Sequence, residues 1–273
     1  ILPPFIDSNM LKDIFLNNLN CSIVTFLKIE ADKYNNLLRI IYNDLTNIIN
    51  FIKGKGNFEK IYNTYNSIMN LSIPKKWITN SFYSKLQIFD FAKLIKLKFS
   101  YIVKYISNLS NKVFNLASFI SPKSLILAIR EKFSKEMKVD ANNVKLKYEI
   151  SSYFNEEDIK EDSYFVGGIF IEGAVFDVAN LIIKESTNKE LYCPIPYIKI
   201  DFITKNIPTT NDKSNKFNFQ FFKCPIYKHI HKTGAVIHGI FHHIMGPLCL
   251  AIPSSLHNLT LYTMIRIGIY VTT

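Results

Sequence analysis

The histidines gather late in the chain, as His229-x-His231 followed by His238 and His242-His243. Alternate residues of a strand share a face, so the first pair would present both imidazoles together, and four zinc ligands can be drawn from the group. Nothing in the spacing makes them converge and no HExxH pair is present, so ordinary surface or barrel histidines are the expectation, with no metal. Glu172 and Asp177 could act as an acid and a base. They flank a glycine corner after an apolar run, where acids ordinarily cap turns. Ser118 and Ser254-Ser255 lack the context of a nucleophile elbow. Gly167-Gly168 lacks the following helix and third glycine of a dinucleotide fingerprint, and nothing matches GxxxxGK[ST]. Cys21, Cys193, Cys224 and Cys249 form no CxxC pair. That spacing suits neither a zinc ribbon nor a disulfide scaffold, and it fits a reducing compartment. No catalytic residue and no cofactor is expected in this chain.

Binding is the other class of chemistry. A formal charge of +11 and a pI near 9.3 permit an acidic partner such as nucleic acid, an acidic protein surface or anionic lipid. Phe217, Phe219, Phe221 and Phe222 among lysines could stack on single-stranded nucleic acid, or fill the inside of a small barrel. The inward reading is preferred, because the lysines are scattered among asparagines with no dense basic block. The longest nearly uncharged segment, residues 235–252, carries three histidines, Gly246 and Pro247. It is shorter than the roughly 20 apolar residues of a membrane span, and reads as buried sheet.

These residues need elements to hold them, and the composition, 48% hydrophobic and 20% charged over 273 residues, supplies a core for one large unit or two modest ones. The start, Ile1-Leu-Pro-Pro-Phe, is neither an initiator methionine nor a secretory leader, so a piece of a longer polypeptide is expected. Ser8 is placed to cap a short helix reaching about Asn20. Residues 21–53 then read as one long amphipathic helix, with Ile23, Leu27, Tyr34, Leu37, Leu38, Ile41, Leu45, Ile48 and Ile52 at steps of three, four and seven, stopped by Gly54 and Gly56. About 50 Å long, it either braces a neighbouring surface or lies in its own bundle. Asn57 caps a third helix. Pro74 ends the segment after it, and Trp77 anchors the loop. Residues 84–106 are apolar almost all round and read as a mostly buried helix. Ser121 caps a helix with Pro122 at its first position, and Leu125, Ile126, Ile129, Phe133 and Met137 form its inner face.

The period then changes. Val144, Leu146, Tyr148 and Ile150 alternate with Lys145, Lys147 and Glu149, the clearest strand in the chain. Further strands are expected within 164–171, 192–201, 217–230, 236–249 and 263–271. In the stretch Tyr164-Phe-Val-Gly167-Gly168-Ile-Phe-Ile-Glu172-Gly173-Ala-Val-Phe176-Asp177 the glycines mark a bend, a bulge or a close approach of backbone. Helices first and strands afterwards give an α+β chain, with a helical bundle over 1–140 and a small incomplete antiparallel barrel over 141–273.

Several stretches, in this order, resemble the C-terminal domain of dynein heavy chains over nearly the whole length. They are Glu30-Ala-Asp-Lys-Tyr34-Asn-Asn-Leu37-Leu38, Ile73-Pro74-Lys-Lys-Trp77, Phe119-Ile-Ser-Pro122, Gly168-Ile-Phe-Ile-Glu172-Gly173-Ala-Val-Phe-Asp177 and Cys224-Pro225-Ile-Tyr-Lys228. Val175 and Phe176 stand where that family usually has arginine and tryptophan, and the aromatic run before Ser121-Pro122 is thinner than usual. The resemblance implies a bundle and incomplete barrel lying on one face of an AAA+ ring as a regulatory brace, with the long helix reaching toward neighbouring modules. It implies Glu30, Tyr34 and Leu38 as interface residues, and Trp77, Pro122, Gly168, Gly173 and Pro225 as framework. ATP hydrolysis, microtubules and the intermediate, light intermediate and light chains would belong to the rest of such a heavy chain, in the cytoplasm or on the cytoskeleton, axoneme included. Neither nucleic acid nor membrane is an expected partner. The alternative is a free-standing basic barrel that binds nucleic acid.

Overall fold

The structure is a computed structural model, and it describes residues 2–18, 21–82, 84, 86–150, 163–172, 175–177, 182–184, 192–204, 219–224, 226–227, 248–253 and 268–270. Packing divides the chain into two units: Ile1–Leu109 with Ser118–Ser121, and Ser110–Ala117 with Pro122–Thr273.

The first unit is helical. Helix α1 (Ser8–Asn17) begins one residue earlier than a Ser8 cap would require: the Asp7 carbonyl accepts the Leu11 N–H, so Ser8 is already helical. Helix α2 (Ser22–Ile52) follows the predicted 21–53 closely, and at 1.5 Å per residue its 31 residues span about 46 Å. Its apolar stripe faces inward as far as Ile48: Ile23, Leu27, Leu37, Ile41 and Ile48 are buried, while Leu45 is half-buried and Ile52, in the last turn, is exposed instead because the helix ends there. The stripe ends where Gly54, at φ +75, lets the Gly54 and Lys55 amides return to the carbonyls of Phe51 and Asn50. This double closure needs a left-handed residue, which glycine takes at least cost. Helix α3 (Phe58–Met69) is capped by Asn57, whose side chain accepts the Glu59 amide at 2.9 Å. Trp77 lies on a short helix, α4 (Lys75–Thr79), rather than in a loop. Helix α5 (Ile88–Ser107) corrects the expectation of burial all round: Phe91, Ile95, Phe99 and Ile102 face in, while Phe89, Leu97 and Val103 are exposed beside Lys93, Lys96 and Lys104.

The second unit starts with β1 (Val113–Asn115) and α6 (Pro122–Glu136). Pro122 opens α6 as expected, and Leu125, Ile126, Ile129 and Phe133 are buried. Met137 is exposed instead, because α6 has ended and Lys138, at φ +52, turns the chain away. The strands are β2 (Val144–Ile150), β3 (Tyr164–Gly167), β4 (Ile169–Glu172), β5 (Val175–Asp177), β6 (Ile182–Lys184), β7 (Tyr192–Ile195), β8 (Ile198–Thr204), β9 (Phe219–Cys224), β10 (Ile226–Tyr227), β11 (Leu248–Pro253) and β12 (Gly268–Tyr270). They form sheets ordered β1-β3-β8-β2 and β10-β12-β4-β7, with the pairs β9–β11 and β5–β6. The α+β expectation holds, and among the described residues no barrel closes. Pairing is mixed rather than purely antiparallel, since β1–β3 and β10–β12 run parallel. Parallel neighbours require a long crossover, and α6 lies within the one between β1 and β3.

The glycine corner has a definite task. Strands β3 and β4 pair with β8 and β7 in one unbroken antiparallel register, from Tyr164↔Ile200 through Ile169↔Ile195 to Glu172↔Tyr192. The ribbon creases at Gly168, so β3 and β8 join one sheet and β4 and β7 the other. Gly168 has φ +74, and a Cβ there would overlap the Asn115 amide and lie 3.1 Å from the Ala117 nitrogen. At Gly167 a Cβ would come within 2.7 Å of the Tyr197 ring. The Phe133 and Phe202 rings stack at 4.0 Å within this unit, and the Arg130 guanidinium donates to the Ala141 carbonyl.

Candidate functional site: three clasps on the long helix

Polar side chains interrupt the buried part of α2 at three places, and each reaches a distant segment of its own unit. In the first third of the helix, the Glu30 carboxylate accepts the backbone N–H of Ile120 at 2.6 Å and that of Ser121 at 3.2 Å, along with the Lys33 ammonium at 2.8 Å. Lys33 also donates to the Ser121 hydroxyl at 2.7 Å, and the Tyr34 hydroxyl donates to the Ser118 carbonyl at 2.8 Å. One helical turn thus gathers the whole Ser118–Ser121 segment, and Phe119 packs between Phe26 at 4.9 Å and Tyr105 at 5.6 Å. Without Glu30 two backbone donors would be buried unpaired; with it, the buried charge has the several partners that make burial tolerable.

The second clasp is Asn35, whose amide accepts the Ile6 N–H and donates to the Ile6 carbonyl, both at 2.9 Å. It holds the extended N-terminal segment against α2, where Phe5 also meets Tyr42 with ring centroids 5.8 Å apart. The third is Asp44, which accepts the Trp77 indole N–H at 2.8 Å and the Lys76 ammonium at 3.0 Å. Trp77 is thereby buried with a named hydrogen-bond partner.

Glu30, Tyr34 and Leu38 are each 0% exposed. Their contacts are with their own chain, so the surface of α2 open to a neighbour is a different one. It consists of a polar strip, Asp32, Asn36, Arg39, Asn43 and Thr46, flanked by exposed Ile29 on one side and by Tyr42 and Ile49 on the other. Gly173 and Pro225 lie outside the described residues, as do Phe217, Ser254, Ser255, the histidines and residues 235–247 of the long uncharged segment. Glu172 and Asp177 end separate strands, β4 and β5. Among the described residues no group of three potential metal ligands occurs, and no helix is long and apolar enough to cross a membrane. Ser118, the serine considered as a nucleophile, is buried with its hydroxyl unpaired among the described residues. Sequence reasoning missed Asn35 and Asp44 as clasps. The signal was there: an amide and an acid interrupt the buried stripe of an amphipathic helix.

Two consequences are measurable. Burial, with the nearby Glu30 charge adding to it, pushes the Tyr34 hydroxyl well above its ordinary pKa. A raised pKa stabilises the fold fully below the unfolded value, about 10, and that stabilisation is lost as pH climbs toward the folded one. Tyr34→Phe should therefore cost about 1–2 kcal/mol at pH 7 by orphaning the Ser118 carbonyl. In urea titrations the gap to the wild type should narrow above pH about 10; a gap independent of pH would refute this. Ser118→Ala removes an unpaired buried hydroxyl, and should raise stability by about 1 kcal/mol in the same assay.

The family model for the C-terminal domain of dynein heavy chains matches residues 2–244. The chain is 30% identical over 254 residues to a "Dynein heavy chain-like protein 2" of Plasmodium falciparum (isolate 3D7), covering 83% of this chain and 5% of that one. It is 24% identical over 218 residues to "Dynein axonemal heavy chain 1" of Rattus norvegicus and 25% identical over 236 residues to "Dynein axonemal heavy chain 8" of Homo sapiens, covering 79% and 85% of this chain and again 5% of each relative. The chain spans about a twentieth of the length of these relatives.

Proposed function

Because the chain belongs to the family of dynein heavy-chain domains found at the C-terminus, we propose that it serves as the regulatory brace of a microtubule-based, ATP-driven motor and hydrolyses nothing itself. The observation that supports this reading most is α2. It is a 31-residue rod whose apolar face is spent inside its own unit and fixed there by three polar clasps, while a polar strip with apolar flanks stays open. A long amphipathic helix held this firmly transmits load rather than absorbing it. We infer that the open face, with Tyr42 and Ile49, packs on AAA+ modules of the same heavy chain and sets how tightly hydrolysis is coupled to movement. The axonemal names of several relatives favour work on the cytoskeleton, in an axoneme. Intermediate, light intermediate and light chains would reach this segment only through the rest of the heavy chain.

Removing this segment from the parent motor should leave basal ATPase activity but change velocity or processivity on microtubules. Single-molecule stepping of the truncated motor is the test, and stepping indistinguishable from the intact motor would overturn the proposal.

A further inference from the structure

The backbone leaves the first unit, returns to it briefly and leaves again. Ser118–Ser121 packs with the first unit, although the residues before it, Ser110–Ala117, and those after it, from Pro122 on, belong to the second. At about 3.3–3.6 Å per extended residue, so short an excursion has little slack. Both of its ends are tied. Just before it, the Ala117 amide donates to the Asn115 side chain at 3.0 Å, in the space that a Cβ on Gly168 would fill, and β1 pairs with β3 from Val113↔Phe165 to Asn115↔Gly167. Just after it, Pro122 opens α6, which is buried along Leu125, Ile126 and Ile129. The segment itself is held by one turn of α2, with Tyr34 on the Ser118 carbonyl, Glu30 on the Ile120 and Ser121 amides and Lys33 on the Ser121 hydroxyl. Leu116, Ala117, Ser118, Phe119 and Ile120 are all buried.

We propose that Ser118–Ser121 is a strap that makes the Glu30 clasp a control point for β1 and the start of α6. Over so short a path the segment cannot lift off α2 unless Ala117 or Pro122 moves with it. Opening the clasp and loosening β1 are therefore one event rather than two. The two-state element is the strap, clasped or released, and both α2 and β1 bias it. Such coupling is reciprocal, because it is one free-energy difference seen from either end. Disturbing Asn115 should accordingly loosen the amides that Glu30 holds. A clasp that only stabilised its own helices would act on α2 and α5 and stop there. The inference does not depend on the brace reading, since it concerns the internal mechanics of the chain alone.

The test is amide hydrogen exchange, read by mass spectrometry on peptides of this region in the parent heavy chain. Glu30→Gln should speed exchange by about fivefold or more in peptides covering β1, β3 and residues 126–130 of α6, as for groups in one network. The β3 peptide includes the Phe165 amide, which donates to the Lys112 carbonyl at 2.8 Å. Tyr34→Phe, a milder change that removes only the bond to Ser118, should speed the same peptides by about two- to threefold. The control is Asp44→Asn, which weakens the Trp77 clasp of the same helix. Compared at a urea concentration where α5 exchanges equally fast in both variants, it should leave β1, β3 and α6 within about twofold of the wild type. In the other direction, Asn115→Ala should speed exchange of the Ile120 and Ser121 amides by about threefold or more. Acceleration confined to α2, α5 and the strap in the Glu30 and Tyr34 variants would overturn the proposal. So would equal acceleration of β1 and α6 by Asp44→Asn, or strap amides unmoved by Asn115→Ala.

Discussion

Glu30→Ala is expected to cost about 3–5 kcal/mol of stability, the range for removing one partner from a buried charged network. The reason lies in what stays behind. The amides of Ile120 and Ser121 lose their acceptor in a site whose carboxylate is 0% exposed, and each unpaired donor costs about 1–3 kcal/mol. Lys33 adds little, since its side chain is a third exposed and solvent screens it. Glu30→Gln keeps the shape and one acceptor oxygen, so a loss of about 2 kcal/mol is expected. The chain's single tryptophan, Trp77, is buried in the same unit and hydrogen-bonded to Asp44, which gives a fluorescence signal for urea unfolding. A Glu30→Ala variant within about 1 kcal/mol of the wild type would show that the clasp is dispensable.

Gly168→Ala should cost about 3 kcal/mol, from two sources that can be separated. A left-handed alanine carries roughly 1 kcal/mol of backbone strain. The new methyl would also overlap the Asn115 side chain, which accepts the Ala117 amide at 3.0 Å, and the Asn115 Cγ would be only 2.8 Å away. Moving Asn115 aside breaks that bond and disturbs β1, while Ala117 presses from behind with backbone that cannot yield. In a double-mutant cycle with Asn115→Ala, the second change should recover about half of the loss. Strict additivity would place the whole cost in the backbone. Because Gly168 is where the paired ribbon passes from one sheet to the other, the damage should appear as faster amide exchange in β3, β4, β7 and β8.

The sequence made legible whatever is set by near neighbours. The α2 period, the glycine stop at Gly54, the Asn57 cap, Pro122 at the start of α6 and the span of β2 all depend on residues within a few positions, and all stand in the structure. The bend at Gly167-Gly168 was legible as a bend, although its role as a crease between sheets required knowing that 192–200 pairs opposite. Partners far along the chain were not legible. Glu30 meets residues 90 and 91 positions away, so an acid on the apolar stripe looked like a contact for another module when it was an internal latch. Three-residue β1 has no period to read, and its parallel pairing depends on a crossover. For α5, the near-continuous apolar run concealed which side its lysines keep in water.

The brace stands or falls on the outward face of α2, which can be altered without removing a hydrogen bond of any clasp. In the parent heavy chain, Tyr42→Glu with Ile49→Glu puts charge on two side chains that are 52% and 50% exposed, so the fold should survive. The measurement is microtubule gliding velocity divided by ATP turnover for that motor. A ratio changed by about twofold or more, with basal ATPase retained, is the predicted result, corresponding to a coupling change of roughly 0.4 kcal/mol. A ratio equal to the unmodified motor's would contradict a bracing role for this helix.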